Sequence, residues 1–231
     1  MSKSILLLGG SRGIGRAIVD LLLERGDHPI VIARHQHDLP QAVPFHQADV
    51  VHDDYTSLIP SELDGMIFLP GTITLLPAAR LTPQQIIDDF TTNALAAHTA
   101  IVRCLPALKR TPGSGVVLFS TVAVGLGMPF HASVAMAKGA VEGLTRSMAA
   151  ELAPTVRVNA IAPSLTDTPL AAKLLADDKR REASAARHPL QHVGTAREVA
   201  QAAVFAACDA TWMTGAVLPI DGGMSTVHVS R

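Results

Sequence analysis

The sequence predicts an α/β domain built on one doubly wound, seven-stranded parallel sheet with helices on both faces. Three observations lead there. Short apolar runs at residues 4–8, 29–33, 43–47, 65–69, 116–120, 157–160 and 217–220 are nearly continuous rather than alternating. Strands of a parallel sheet covered on both sides read that way. Between them lie stretches of helical periodicity at 13–25, 53–59, 83–109, 132–152 and 196–207. Alternation of the two along the whole chain implies right-handed βαβ units in one sheet.

Taken in order, the first run (Ile5 to Leu8) ends at Gly9-Gly10 and is too short for a signal-peptide core or a membrane span. Pro83 follows the capping candidate Thr82, at a position where a missing N–H is harmless to a helix. The stretch 132–152 is unusually rich in small residues, among them Ala132, Ser133, Ala137, Gly139, Ala140 and Gly143. Small side chains permit close approach, either to the chain's own sheet or to a second copy. No internal repeat, low-complexity tract or linker interrupts the pattern, so residues 1–231 read as a single domain.

Composition narrows the function classes. The chain has 231 residues, 48% hydrophobic and 17% charged, with 19 basic and 20 acidic side chains and a net charge of −1. That balance argues against a nucleic-acid partner held by phosphate neutralisation. Aromatic residues, at 3%, are too few for a base-stacking platform. Cys104 and Cys208 cannot form a disulfide scaffold and suit a reducing cytoplasm. The histidines show no spacing of a metal site, so no metal is expected.

The first strand is followed by Gly9-Gly10-Ser11-Arg12-Gly13-Ile14-Gly15 and then a helix. Glycines at a first βα junction let a backbone approach a pyrophosphate, which then sits on the helix N-terminus. The second strand ends in Ala33-Arg34-His35, with no acid before Asp38. A carboxylate there would bind an adenosine ribose and repel a 2′-phosphate; Arg34, with Arg12, instead suits a phosphate fork. The cofactor expected is therefore NADP(H), with Asp49 and Val50 beside the adenine. The alternative for Arg34 is a solvated loop charge.

On these residues the chain resembles the short-chain dehydrogenase/reductase family, which has a single-domain Rossmann fold. Gly9, Gly13 and Gly15 match the family's Gly-x-x-x-Gly-x-Gly, and Asn93 falls at its helix asparagine. Val116 to Thr121 match the strand carrying a catalytic serine; Arg157 to Pro163, then Thr168, match the segment around the nicotinamide. Thr214-Gly215 and Asp221-Gly222-Gly223 match a C-terminal signature. The resemblance implies hydride transfer between the nicotinamide and a small carbonyl or alcohol, with Gly71, Pro163 and Thr168 near the cofactor. It also implies a homodimer or homotetramer using the helices around Thr99 and Ala140, and a substrate-covering lid at 164–194.

The departures fall at the chemistry. In the family a tyrosine precedes the catalytic lysine by four residues; here Lys138 is preceded at that distance by Val134. Thirteen residues before Val134 stands Thr121, which also keeps the 28-residue spacing from Asn93, so the difference is a substitution and not a misalignment. Phe68-Leu69-Pro70-Gly71 replaces the family's Asn-Asn-Ala-Gly, and Pro163-Ser164 its Pro-Gly. Losing a positioned acid forfeits about 10²–10⁴-fold in rate, roughly 3–5 kcal/mol of barrier. His131 lies on the helical face of Val134 and Lys138 and is a candidate proton donor; the alternative is a pocket-lining histidine. Lys138 would bind the nicotinamide ribose, Thr121 would polarise the carbonyl, and Asn93 would hold a water beside Lys138. Two functions stay open: an NADP(H)-dependent oxidoreductase with an atypical site, or an NADP(H)-binding sensor or structural protein without turnover.

Overall fold

The computed structural model describes residues 2–229. Its main sheet is formed by β1 (Ser4–Leu8), β2 (His28–Ala33), β3 (Phe45–Gln47), β4 (Gly65–Phe68), β5 (Ser114–Phe119), β6 (Val156–Pro163) and, last in the chain, β9 (Val217–Ile220). All pairings are parallel and the order is β3-β2-β1-β4-β5-β6-β9. The helices are α1 (Gly13–Glu24), α2 (Pro83–Phe90), α3 (Ala96–Leu108), α4 (Ala123–Leu126), α5 (Ala132–Leu152), α6 (Asp178–Ala185) and α7 (Ala196–Val204). A two-stranded pair, β7 (Thr166–Asp167) with β8 (Gly194–Thr195), lies apart from the main sheet.

The period of two along each strand divides the apolar runs into two cores. Leu6, Leu8, Met66, Val116, Leu118 and Val158 pack on one face with Ala97, Ala100 and Ile101 of α3 and Val141 and Met148 of α5. Ile5, Leu7, Val31, Ile67, Val117 and Ile161 pack on the other with Ile18 and Leu22 of α1 and Val199 and Ala203 of α7. Both cysteines are free and buried, Cys104 in the first core and Cys208 in the second. No helix among the described residues is long and apolar enough to cross a membrane.

Several elements differ from the sequence reading. The stretch 53–59 forms only a 3₁₀ turn at Thr56–Leu58. The Asp54 carboxylate takes the Thr56 amide (3.0 Å) and hydroxyl (2.6 Å), and Pro60 holds Ile59 extended. The third strand begins at Phe45, because Pro44 has no N–H to give a ladder. The long helix of 83–109 is two helices joined by a π-type turn at Thr91–Leu95, and α7 likewise ends in a π-type turn at Phe205–Asp209. Thr82 caps α2 in a capping box with Gln85, as its spacing before Pro83 suggested.

A buried guanidinium fastens the second π-type turn to the sheet. Arg157 of β6 donates to the carbonyls of Ala206 (2.8 Å), Ala210 (2.9 Å), Ala207 (2.7 Å) and Gly113 (3.2 Å). Its β5 partner in register is Gly115, where a Cβ would lie 2.3 Å from the Ala207 carbonyl oxygen. Buried Asn159 continues the clamp, donating to Met213 O and accepting from Ala216 N. The two aromatic singletons are placed oppositely. Tyr55 is fully buried with the Arg103 guanidinium 4.6 Å from its ring centre, whereas Trp212, on the turn before β9, is 99% exposed.

Arg157→Leu would leave three buried carbonyls, and that of Gly113, without this donor. The expected loss is about 3 kcal/mol or more of unfolding free energy, read by urea titration followed by far-ultraviolet circular dichroism. A loss below about 1 kcal/mol would show that the clamp is dispensable.

Candidate functional site

The chain leaves the sheet in opposite directions after β1 and β4, and the crevice between those strand ends is where open α/β sheets bind ligands. A cleft of about 810 Å³ opens there. Its floor is the glycine loop. Gly9 (φ +84°) and Gly13 (φ +53°) take the left-handed backbone that favours glycine, and a Cβ on Gly15 would sit 2.8 Å from Gly10 Cα. Arg12 is the N-cap of α1 but makes no side-chain capping bond, and the first turn carries no acid. The amides at that helix end are thus uncapped by side chains.

At the end of the cleft by β2 and β3 stand Arg34, His35 and His37, beside Asp49 and Val50. Partial burial works against the Asp49 charge, but the Val51 amide, His52 and nearby Arg34 hold its carboxyl below the usual carboxylate range. The other end is bounded by Thr121, His131, Val134 and Lys138, with Gly71 and Pro163 between. The segment 164–194 forms one wall through Ser164, Thr168, Leu170, Leu174 and His188, among others. Thr168 touches the floor: a Cβ on Gly13 would lie 3.4 Å from its Cβ.

The Lys138 side chain is 8% exposed and its ammonium donates to the Phe119 carbonyl at 2.8 Å. Burial pulls its pKa down to about 8, against the opposing pull of the Asp89 charge. Thr121 Oγ1 accepts from the Ala123 amide at 3.3 Å and, among the described residues, donates to no protein acceptor. His131 Nδ1 donates to the Pro129 carbonyl at 2.7 Å, so Nε2 is the nitrogen left for other partners. Val134 is buried, at 3% exposure.

Asn93, expected to hold a water beside Lys138, lies across Gly71 from that lysine. Asn93 does not line the cleft; it is 1% exposed behind Gly71, in the π-type turn. Its Nδ2 donates to the Asp89 carbonyl (2.8 Å) and to Thr72 Oγ1 (3.0 Å). Gly71 separates it from the lysine: a Cβ there would be 3.2 Å from Asn93 Oδ1 and 3.4 Å from Lys138 Nζ. Every other site residue expected from the sequence borders the cleft: Gly9, Ser11, Arg12, Gly13, Ile14, Gly15, Arg34, Asp49, Val50, Gly71, Thr121, His131, Lys138, Pro163 and Thr168.

Two further groups leave no signal in the sequence. Ser164 Oγ and His188 Nε2 are 2.8 Å apart on the cleft wall, and Nδ1 of that histidine donates to Ser184 O. Asp89 gathers the hydroxyls of Thr72, Thr74 and Ser133. Both join residues far apart in the chain, so no local spacing could reveal them. Among the described residues no group of three or more His, Cys, Asp or Glu side chains is placed to hold a metal ion.

Comparison with known proteins agrees with this architecture. A family model described as Enoyl-(Acyl carrier protein) reductase matches residues 9–225. The 3-oxoacyl-[acyl-carrier-protein] reductase MabA of Mycobacterium tuberculosis is 28% identical over 237 residues, covering 99% of this chain and 95% of that protein. Aldohexose dehydrogenase of Thermoplasma acidophilum superposes with a TM-score of 0.91 at 26% identity, over 100% of this chain and 98% of that one. A solved short-chain dehydrogenase/reductase family protein superposes with a TM-score of 0.87 at 26% identity, over 97% and 98% of the two chains. With a family model spanning nearly all of its length and the same sheet beneath it, the chain belongs to the short-chain dehydrogenase/reductase family.

Proposed function

We propose that the protein is an NADP(H)-dependent oxidoreductase acting between the nicotinamide and a small carbonyl or alcohol substrate, with an atypical active site. The observation that carries the reading is a glycine cradle joined to a cationic rim in one cleft. Side chains are excluded from Gly9, Gly13 and Gly15, which leaves bare backbone for a pyrophosphate, and Arg12 and Arg34 border the same cleft. The bound dinucleotide supplies the hydride chemistry. Arg34 and Arg12 grip its 2′-phosphate, Asp49 and Val50 flank the adenine, and Gly71, Pro163 and Thr168 border the nicotinamide.

Lys138 donates to the ribose hydroxyls. Thr121, whose O–H is uncommitted, donates to the carbonyl oxygen and polarises it. Val134 stands four residues before Lys138, where the family's tyrosine would be, and has no proton to give. His131, with Nε2 open beside the same wall, delivers it instead. The segment 164–194 covers the substrate. Exposed Ile87, Val102 and Met136 on α2, α3 and α5 support a homo-oligomer formed through those helices. Free, buried Cys104 and Cys208 suit the cytoplasm.

The decisive experiment follows NADPH oxidation with a panel of ketones, aldehydes and quinones. Turnover is expected, with His131→Ala lowering it by about 10²-fold or more and Val134→Tyr raising carbonyl reduction. Unchanged turnover in His131→Ala would exclude that donor. Tight NADPH binding with no turnover in any variant is the result for a cofactor-binding protein without redox activity, the reading that buried Val134 favours.

Arg34→Ala is expected to weaken NADPH binding by about tenfold or more while leaving NADH nearly unaffected, by fluorescence titration. Equal effects on both would remove the 2′-phosphate assignment. Lys138 is protonated below about pH 8 and loses a ribose donor above it. NADPH affinity is therefore expected to be level near pH 7 and to fall by up to about tenfold per pH unit above 8. Lys138→Met should abolish that slope.

A further inference from the structure

Asp89 is a buried carboxylate that the mechanism above leaves unused. It sits in the last turn of α2 at 2% exposure. Oδ1 accepts from Thr72 Oγ1 at 2.6 Å and Thr74 Oγ1 at 3.1 Å, and Oδ2 accepts from Ser133 Oγ at 2.5 Å. Three hydroxyls converge on it, from the segment after β4 and from the first turn of α5.

An ionised carboxylate can only accept, and that fixes the direction of the bonds around it. The single Thr72 hydroxyl proton points to Asp89, so the same oxygen is left to accept from Asn93 Nδ2 at 3.0 Å. The second Nδ2 proton goes to the Asp89 backbone carbonyl at 2.8 Å. With both amide protons engaged on that side, Asn93 presents Oδ1, which accepts from the Thr72 amide at 3.4 Å, at the Gly71 notch, on whose far side lies Lys138 Nζ. The atom of Asn93 that faces the ammonium across the notch is therefore an acceptor, not another donor. A neutral amide in place of Asp89 could donate to Thr72 and reverse the hydroxyl, setting its proton against Asn93 Nδ2.

We propose that Asp89 is a positioning residue: it sets the direction of the Asn93–Thr72 hydrogen-bond chain and supplies the countercharge for the Lys138 ammonium beneath the cleft. The inference rests on the reading of Lys138 as a cofactor-holding group. Burial alone lowers the lysine pKa, and Asp89 is the charge that raises it again. The other groups around Lys138 do not compete for this part. β5 offers only the Phe119 carbonyl, and Gly71 and Thr72 carry no charge. On α5, Glu142 is engaged by Ser120 (2.9 Å) and Arg146 (3.3 Å), and His131, at its N-cap, is bonded to Pro129.

The test uses isotope-labelled, cofactor-free protein and two nuclear magnetic resonance readouts. For the charge, the Lys138 side chain is titrated in wild type, Asp89→Asn and Ser133→Ala. Its midpoint is expected to fall by about one pH unit in Asp89→Asn, a tenfold shift in the protonated ratio, and to hold in Ser133→Ala, which keeps the carboxylate. An unmoved midpoint in Asp89→Asn, or an equal fall in both, overturns the countercharge. For the chain, hydrogen exchange of the Asn93 side-chain amide is measured in Thr72→Val. Exchange is expected to quicken at least about tenfold, and unchanged protection overturns the orientation. Thr72→Val keeps Asp89, so it decides even if Asp89→Asn does not fold. Neither readout involves NADP(H), so absence of cofactor binding would strike the proposed function and leave this test standing.

Discussion

Two stretches of backbone approach each other across the gap between β1 and β4, and the cleft depends on how closely they come. A Cβ on Gly9 would lie 3.2 Å from the Pro70 ring, and one on Gly15 would lie 3.0 Å from both the Gly9 carbonyl and a Leu69 methyl. Larger residues would separate the strand ends and lift the N-terminus of α1 away from them. Glycine carries a conformational penalty of about 1 kcal/mol relative to alanine in a helix, so Gly15 inside α1 is retained against propensity. The second segment then continues through Gly71 to the notch between Asn93 and Lys138. One steric constraint thus links the floor of the cleft to the polar groups at its far end.

The division of apolar runs by chain period made the sheet legible, because each strand must satisfy two cores at once. The glycine turn was legible because one loop sets it locally, and the Thr121–Val134–Lys138 spacing because it keeps the register of the family that the chain resembles. What escaped was non-local. Residues 53–59 had helical periodicity, but a side-chain bond from Asp54 and the ring of Pro60 prevailed over it. Asn93 was expected to hold a water beside Lys138, but that a π-type turn would carry it behind Gly71 was not legible. The hydroxyls around Asp89 come from positions 72, 74 and 133, and only the packing of α5 against α2 unites them.

Two buried cations show how differently the same fold treats charge. Arg157 has its guanidinium surrounded by four carbonyls, a rigid fork matched to a rigid turn. Burial lowers its pKa without threatening its charge, and no hydrogen-bonding capacity is directed at the cleft. Lys138 is bonded to one carbonyl and borders open space. Its ammonium keeps unmet donors where a ligand can reach them, at the expense of a proton held less firmly. The first arrangement serves the fold; the second is what a binding site requires.

The placement of Trp212 has a practical side. Its indole is bathed in water in the native protein, so its emission already has the long-wavelength character of the unfolded chain. Loss of the cores will barely alter that glow, whereas any object that settles on the turn before β9 will shift it to the blue. The chain therefore carries an intrinsic optical reporter that is nearly blind to its interior and responsive to what touches this one spot.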